Sequence, residues 1–210
     1  MFAARYASAL LTPTIPAFYR PVPLPIMNFR STTPAAISPA IRKLCKEVAG
    51  SAEPAFIPVR TETDDAGLTA VPGWAIWQCV DALIEAEFHV ARRTVEGQLV
   101  DVAAWPGGEE TILFVEDPRR SASEPEIDRE RRALRRDPLV EDFITLGRKQ
   151  FLLLHGGHAD DPALMRRLAV SQLIVKNMLE RGLSGDDACL CNSGKRYKNC
   201  HGKAVRSLRV

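Results

Sequence analysis

The end of this chain folds around one stretch, Cys189-Leu190-Cys191-Asn192-Ser193-Gly194-Lys195-Arg196-Tyr197-Lys198-Asn199-Cys200-His201-Gly202. It holds three of the five cysteines and one of the four histidines among the 210 residues. Three thiolates and an imidazole match the tetrahedral ligand shell of Zn²⁺. Asn192 and Gly194 tolerate the positive φ angles that a tight chain reversal needs. We predict a structural zinc site, because four protein ligands leave no position open for water, formed by Cys189, Cys191, Cys200 and His201.

This stretch resembles the SEC-C motif, a zinc-binding motif that also ends the SecA preprotein translocase ATPases. The ligand spacing matches, and so do Ser193-Gly194-Lys195, Tyr197-Lys198 and Cys200-His201-Gly202, whereas Leu190 and Asn192 replace the usual Pro and Gly. The resemblance covers only the end of the chain. It does not imply an ATPase, because the sequence contains no glycine-rich phosphate loop.

In SecA proteins the motif docks partners, including an export chaperone, so the resemblance implies a protein-recognition role. The basic side chains Lys195, Arg196 and Lys198 are the candidate partner-binding residues. An acidic protein and a nucleic acid both remain open as the partner of such a surface. This interpretation favours an interaction protein over an enzyme.

The composition is that of an ordinary globular protein, with 46% hydrophobic residues, 26% charged residues and a net charge of +2. Outside the motif only Cys45 and Cys79 remain, so the cysteines do not form a dispersed disulfide framework. This usage predicts a reducing cytoplasm, and no apolar stretch is long enough to span a membrane. The proline-rich residues 1–36 are expected to be a disordered extension, and Met27 is an alternative start.

The pattern of the remaining chain predicts an α+β fold: a small antiparallel sheet with a packing helix at residues 37–118, a helical segment at 119–184 and the zinc knuckle at 185–204. Ser38 and Gly50 mark the ends of the first helix. Short strands are expected at 56–59, 73–77, 83–91, 99–102 and 111–115. Helices are expected at 138–154 and from 161 to about 181.

Residues 119–137 are dense in opposite charges at helical spacing, which predicts a solvated helix or a linker. A nucleic-acid role for their arginines is the alternative, although interleaved acids dilute the positive field. These arginines are Arg129, Arg131, Arg132, Arg135 and Arg136.

A second group of residues, around 74–115, resembles uncharacterised bacterial proteins that carry the same tail. His89 and Asp101 fall on neighbouring predicted strands. In papain-like and transglutaminase-like hydrolases a His and an Asp so placed activate a Cys from an earlier helix. Here the expected cysteine is missing from residues 60–68, and Cys45 and Cys79 are the remaining candidates. A thiol hydrolase, or a degenerate fold that has lost its chemistry, is therefore the alternative function. A further pair, His155 and His158, could ligate a metal or form a polar loop.

Overall fold

The computed structural model describes residues 30–31, 37–51, 53–60, 67–79, 81–105, 107–156 and 161–209. Within them lie seven strands: β1 (Arg30–Ser31), β2 (Ala55–Pro58), β3 (Thr69–Cys79), β4 (Leu83–Arg93), β5 (Leu99–Val100), β6 (Thr111–Glu116) and β7 (Glu130–Ala133). The same residues form four α-helices: α1 (Pro39–Ala49), α2 (Pro138–His155), α3 (Pro162–Glu180) and α4 (His201–Ser207). A short 3-10 helix spans Tyr197–Asn199.

The strands form one sheet in the order β2-β6-β3-β4-β5, with β1 beside β3 and β7 beside β4. All of these strand pairs are antiparallel. The predicted α+β class is confirmed. The long hairpin of β3 and β4, in full register from Thr69↔Arg93 to Cys79↔Leu83, is the centre of the sheet.

The predicted ends of the first helix are also those of α1. The Ser38 hydroxyl accepts a hydrogen bond from the Ile41 N–H at 3.2 Å. Gly50, with a φ of 70°, donates its N–H to the Lys46 carbonyl at 3.0 Å. These contacts satisfy backbone groups that would otherwise be unpaired at the two helix ends. Local sequence therefore sets the length of α1.

Helices cover both faces of the sheet. On β3, Trp74 and Ile76 pack with the apolar face of α1, whereas Ala75 and Trp77 pack with residues of α2, α3 and α4. The sequence predicts one packing helix, but the structure has a three-layer arrangement. It explains why residues 73–77 are apolar without alternation, because a strand covered on both faces buries successive side chains.

The charged residues 119–137 do not form a helix. The helix predicted for them is wrong, because residues 130–133 form the strand β7. Residues 130–133 pair with Leu83–Ala86 of β4. Their arginines alternate across the strand: Arg131 contacts Glu85 on one side, and Arg132 contacts Glu47 of α1 on the other. The arginines of this strand therefore pair with acids on a neighbouring strand and on α1. A local sequence pattern does not reveal such partners.

Most of the predicted N-terminal extension, including Met27, lies outside the described residues. At Arg30–Ser31, instead of disorder, the chain forms a two-residue strand opposite Trp77 and Gln78. His158 also lies outside the described part of the chain. Among the described helices, none combines the length and the apolar character that crossing a bilayer requires.

The C-terminal stretch is packed against the rest of the protein. Tyr197 is fully buried, and its hydroxyl donates to a carboxylate oxygen of Asp142 on α2 at 3.0 Å. Arg206 of α4 donates to the same carboxylate at 3.2 Å. Lys149 of α2 donates to the Val205 carbonyl at 3.2 Å and also to the Leu208 carbonyl. Helix α2 therefore holds the middle of the stretch, at Tyr197, and the region of α4 that follows the candidate ligands.

Replacing Tyr197 by Phe tests this attachment. The ring and its packing remain, but the buried Asp142 carboxylate loses a donor, so we expect the free energy of unfolding to fall by about 1–3 kcal/mol. Denaturant unfolding of the metal-loaded protein measures the change. Ser207→Ala is the matched control, because it removes an exposed hydroxyl that bonds only within α4, and it should change the free energy by less than about 0.5 kcal/mol. Equal losses in the two variants would contradict the attachment.

Candidate metal centre

Short-range backbone bonds fold the stretch back on itself. The Cys189 N–H donates to the Lys195 carbonyl at 2.9 Å, which closes a loop that contains Cys191. Asn192 has a φ of 58° and Gly194 a φ of 71°, as predicted for the reversal. The 3-10 helix then places Cys200, whose N–H donates to the Tyr197 carbonyl at 2.9 Å, at the start of α4. The two halves of the candidate ligand set thus face each other.

The candidate ligand atoms converge on one point. The three Sγ atoms and one ring nitrogen, from Cys189, Cys191, Cys200 and His201, all lie within 4.8 Å of one another. Cys191 Sγ is 3.4 Å from Cys200 Sγ, and His201 Nδ1 is 3.2 Å from Cys189 Sγ. A tetrahedral Zn²⁺ with Zn–S bonds of about 2.3 Å has ligands about 3.5–3.8 Å apart. This group can therefore hold a metal ion with small adjustments.

A serine hydroxyl contacts two of the thiols. Ser193 Oγ lies 3.2 Å from Cys191 Sγ and 3.2 Å from Cys200 Sγ. The hydrogen bond with Ser193 is the main reason that the pKa of Cys191 is lowered to about 6. Burial has the opposite effect on Cys189, whose pKa is raised to about 11. Hydrogen bonds from such neighbours orient ligands and tune their basicity, so Ser193 is a supporting residue that the ligand spacing alone does not identify.

The candidate partner-binding residues lie on the loop between Cys191 and Cys200. Lys195 is exposed, whereas Arg196 and Lys198 both reach the Asp186 carboxylate, at 3.4 and 2.5 Å. These two ion pairs offset part of the predicted basic surface. They are exposed pairs, which are worth little in water and can be exchanged for contacts with a partner.

The structure brings His89 and Asp101 together. His89 Nε2 lies 2.8 Å from Asp101 Oδ1, and the Asp101 carboxylate is buried. Burial would raise the pKa of Asp101, but hydrogen bonds from His89, the Ala103 N–H and Trp105 together lower it. Trp105, which sequence reasoning missed, donates to Asp101 Oδ2 at 2.5 Å and packs on the His89 ring.

A nucleophilic cysteine does not join this pair. Cys45 is a residue of α1 and packs into the core between that helix and the sheet. This core is on the opposite face of the sheet from Trp105. Cys79 lies on β3 six residues beyond Gly73, the register partner of His89, which corresponds to about 20 Å. Glu85, on the same face of β4 as His89, is buried beneath Arg129 and Arg131.

The arginines of residues 119–137 are largely engaged by acids. Arg129 contacts Glu85 and Glu87 at 2.7 and 2.8 Å. Arg132 contacts Glu47 and Glu130, and Arg135 contacts Asp81. Arg136 is exposed. A field offset in this way favours fold stabilisation over phosphate binding.

His155 is placed by the structure at the end of α2, with Nε2 3.7 Å from a Glu126 carboxylate oxygen. Its ring packs on Phe151, with ring centroids 4.3 Å apart. The predicted metal pair of His155 with His158 stays a prediction, because one of its members lies outside the described residues.

Comparison with known proteins identifies the tail. The SEC-C motif family matches residues 187–203. Protein translocase subunit SecA 1 of Bordetella avium (strain 197N) is 49% identical over 47 residues, which are 22% of this chain. The matched part spans only 5% of the length of that relative. No solved structure matches. The chain therefore carries a SEC-C motif, as the sequence predicts.

Metal content tests the ligand set. We expect elemental analysis of protein purified in reducing buffer to find about one metal ion per chain, since a closed shell of this type binds tightly. Cys191→Ser should reduce the ratio well below one. Cys79→Ala, which removes a cysteine from the core under α2 and α3, is the control and should keep it. An unchanged ratio in Cys191→Ser would refute the assignment.

Thiol reactivity tests whether either core cysteine is a nucleophile. Burial raises the pKa of Cys45 to about 12 and that of Cys79 to about 11. At pH 8 about one thiol in a thousand or fewer is then ionised, so both should react slowly with iodoacetamide in the metal-loaded fold. Labelling sites are mapped by mass spectrometry, and the protein unfolded in guanidinium is the positive control. Fast labelling that slows in His89→Asn would support the hydrolase alternative instead.

Proposed function

We propose that this chain is a zinc-binding protein whose SEC-C stretch presents a rigid basic surface to a protein partner. The convergence of three cysteine sulfurs and one histidine nitrogen within 4.8 Å carries the proposal. Soft thiolates and a borderline imidazole favour Zn²⁺ over the hard cations Mg²⁺ and Ca²⁺. The role of the ion is structural, because its four ligands all come from the protein.

The ion holds the loop in one shape. The only regular structure between Cys189 and Cys200 is a three-residue 3-10 helix, and the loop closes by the Cys189–Lys195 backbone bond. Such short segments have too little apolar surface to fix themselves. Metal ligation supplies the missing free energy, on the order of 10 kcal/mol in small zinc units at neutral pH.

The basic side chains on the loop outnumber the negative charges of the metal-loaded site. Three thiolates around a divalent ion leave a net negative charge of about one unit at the centre. Lys195, Arg196 and Lys198 lie on the surrounding loop and outnumber the Asp186 carboxylate that pairs with two of them. The excess positive charge stays at the exposed rim, where it is suited to an acidic surface.

The comparison supports a protein as the partner. One relative that shares this stretch is a subunit of a protein translocase. We infer that the partner here is also a protein, and that it is acidic where it meets the loop. Cytoplasmic residence is part of the same proposal, because three reduced cysteines persist best in a reducing compartment.

The test is photo-crosslinking in cells from position 199, an exposed site on the same loop that leaves Lys195, Arg196 and Lys198 in place. The captured protein is then purified separately, and its binding to this chain is measured. We expect one acidic protein to be captured, with its affinity lost on chelation and restored by Zn²⁺. Lys195→Glu should weaken binding at least tenfold at low salt while it keeps one metal ion per chain, since like charges then face each other.

Lys43→Glu is the matched control, because Lys43 is exposed on α1, away from the SEC-C stretch. It should leave the affinity unchanged. Capture that disappears after nuclease treatment would assign the surface to nucleic acid. Equal affinity with and without metal would refute the role of the folded loop.

A further inference from the structure

The candidate metal ligands differ in their exposure to solvent. Cys189 is 4% exposed and belongs to the apolar core, whereas Cys191 is exposed and Cys200 is partly buried. Cys191 Sγ lies 3.4 Å from Cys200 Sγ. The outer side of the site is therefore a pair of neighbouring cysteines, one of which is open to small molecules in solution.

The chain around Cys191 can move without disturbing the core. Residues 191–196 are all exposed, and the positive φ angles of Asn192 and Gly194 give this segment its turn. A disulfide has an S–S distance of about 2.05 Å, so the sulfurs of Cys191 and Cys200 need to approach each other by roughly 1.4 Å. An exposed loop can supply a movement of this size.

The other cysteines are poorer partners for Cys191. The Cys189 N–H is bonded to the Lys195 carbonyl at 2.9 Å, and its side chain is fixed in the close-packed core. Cys45 and Cys79 are buried in the two apolar cores of the protein. Cys200, at the edge of the core and in contact with Cys191, is the sulfur that the geometry favours.

We propose that Cys191 and Cys200 form a reversible disulfide when the chain reacts with a hydroperoxide, and that this bond opens the SEC-C stretch. This switch rests on the proposed function, because it requires that the stretch holds zinc. Metal ligation keeps cysteine ligands as thiolates. Peroxides oxidise accessible thiolates first, so the exposed Cys191 is the site of attack.

The reaction moves two electrons from the two sulfurs to one hydroperoxide. The Cys191 thiolate attacks the peroxide and the O–O bond breaks. Cys191 becomes a sulfenic acid, and the alcohol leaves after taking a proton from solvent. The Cys200 thiolate then attacks the Cys191 sulfur, the S–O bond breaks, and the departing hydroxide takes a second solvent proton to become water.

The disulfide removes half of the ligand set. Sulfur binds metals as the thiolate, so the bonded pair no longer contributes, and Cys189 and His201 alone remain. Two ligands do not complete a tetrahedral shell, and the metal ion is therefore released. The loop that carries Lys195 then loses the ligation that fixes its shape. Reduction of the disulfide restores both thiolates and lets the site reload.

Treatment of the metal-loaded full-length chain with hydrogen peroxide tests this switch. Zinc content is measured beforehand, its release is followed with a colorimetric chelator against a sample without peroxide, and disulfides are mapped by mass spectrometry. We expect one zinc ion to leave for each disulfide between Cys191 and Cys200, and dithiothreitol with added zinc to restore the metal content.

Two results would overturn the proposal: zinc that stays bound under peroxide, or a disulfide that joins Cys191 to Cys189. Either result leaves the proposed function intact. A chain that carries no zinc before the treatment would instead refute the proposed function, and the switch with it.

Cys191→His keeps a metal-binding side chain but removes the sulfur that is attacked first, so peroxide should release zinc at least tenfold more slowly. Cys79→Ala removes a buried cysteine and is the control, with release at the wild-type rate. Equal rates in wild type and Cys191→His would refute the assignment of the attacked sulfur. If Cys191→His does not hold zinc, dimedone trapping of sulfenic acid in the wild type decides: we expect the label on Cys191, and a label on Cys189 instead would contradict the proposal.

Discussion

The contact between Tyr197 and Asp142 makes the C-terminal stretch part of the protein core. Tyr197 has no exposed surface, and its hydroxyl is held by a carboxylate that also binds Arg206. Burial raises the pKa of this carboxyl, so its hydrogen-bond donors are needed to keep it stable in the interior. Since Tyr197 stands between the two pairs of candidate ligands, the same contact positions the metal centre relative to α2.

This arrangement couples metal binding to the whole fold. Cys189, Val205 and Leu208 belong to the apolar core that also contains the inner residues of α2 and α3. Losing the ion would free both ends of the loop and loosen the helix-packed residues next to it. In the proposed function, basic side chains attached to this core would lose little conformational freedom on binding, which would lower the entropic cost of recognising a partner.

Away from the metal centre, the layer of α2 and α3 covers charged side chains of the sheet as well as apolar ones. Glu85 and Glu87 extend from β4 under the helices, where carboxylates alone would be too costly to bury. Arg129 and Arg131 neutralise them from the segment that leads into β7. Arg131 also lies flat on Gly147 of α2, where an added Cβ would come within 2.8 Å of the guanidinium. This crowded ion-pair network therefore closes the polar side of the core between β4 and α2.

Sequence alone determined the elements whose signals are local. Ser38 and Gly50 mark the ends of α1, the residue pattern at 83–91 predicts β4, and the cysteine spacing with Asn192 and Gly194 predicts the metal-ligand loop. Only the tertiary structure decided the rest. It placed helices on both faces of the sheet, made residues 130–133 a strand through Glu85 and Glu47, and separated Cys45 and Cys79 from His89. The physical reason is that cross-strand ion pairs and face assignment depend on residues far apart in the chain, whereas helix caps and close ligand pairs lie within a few residues of each other.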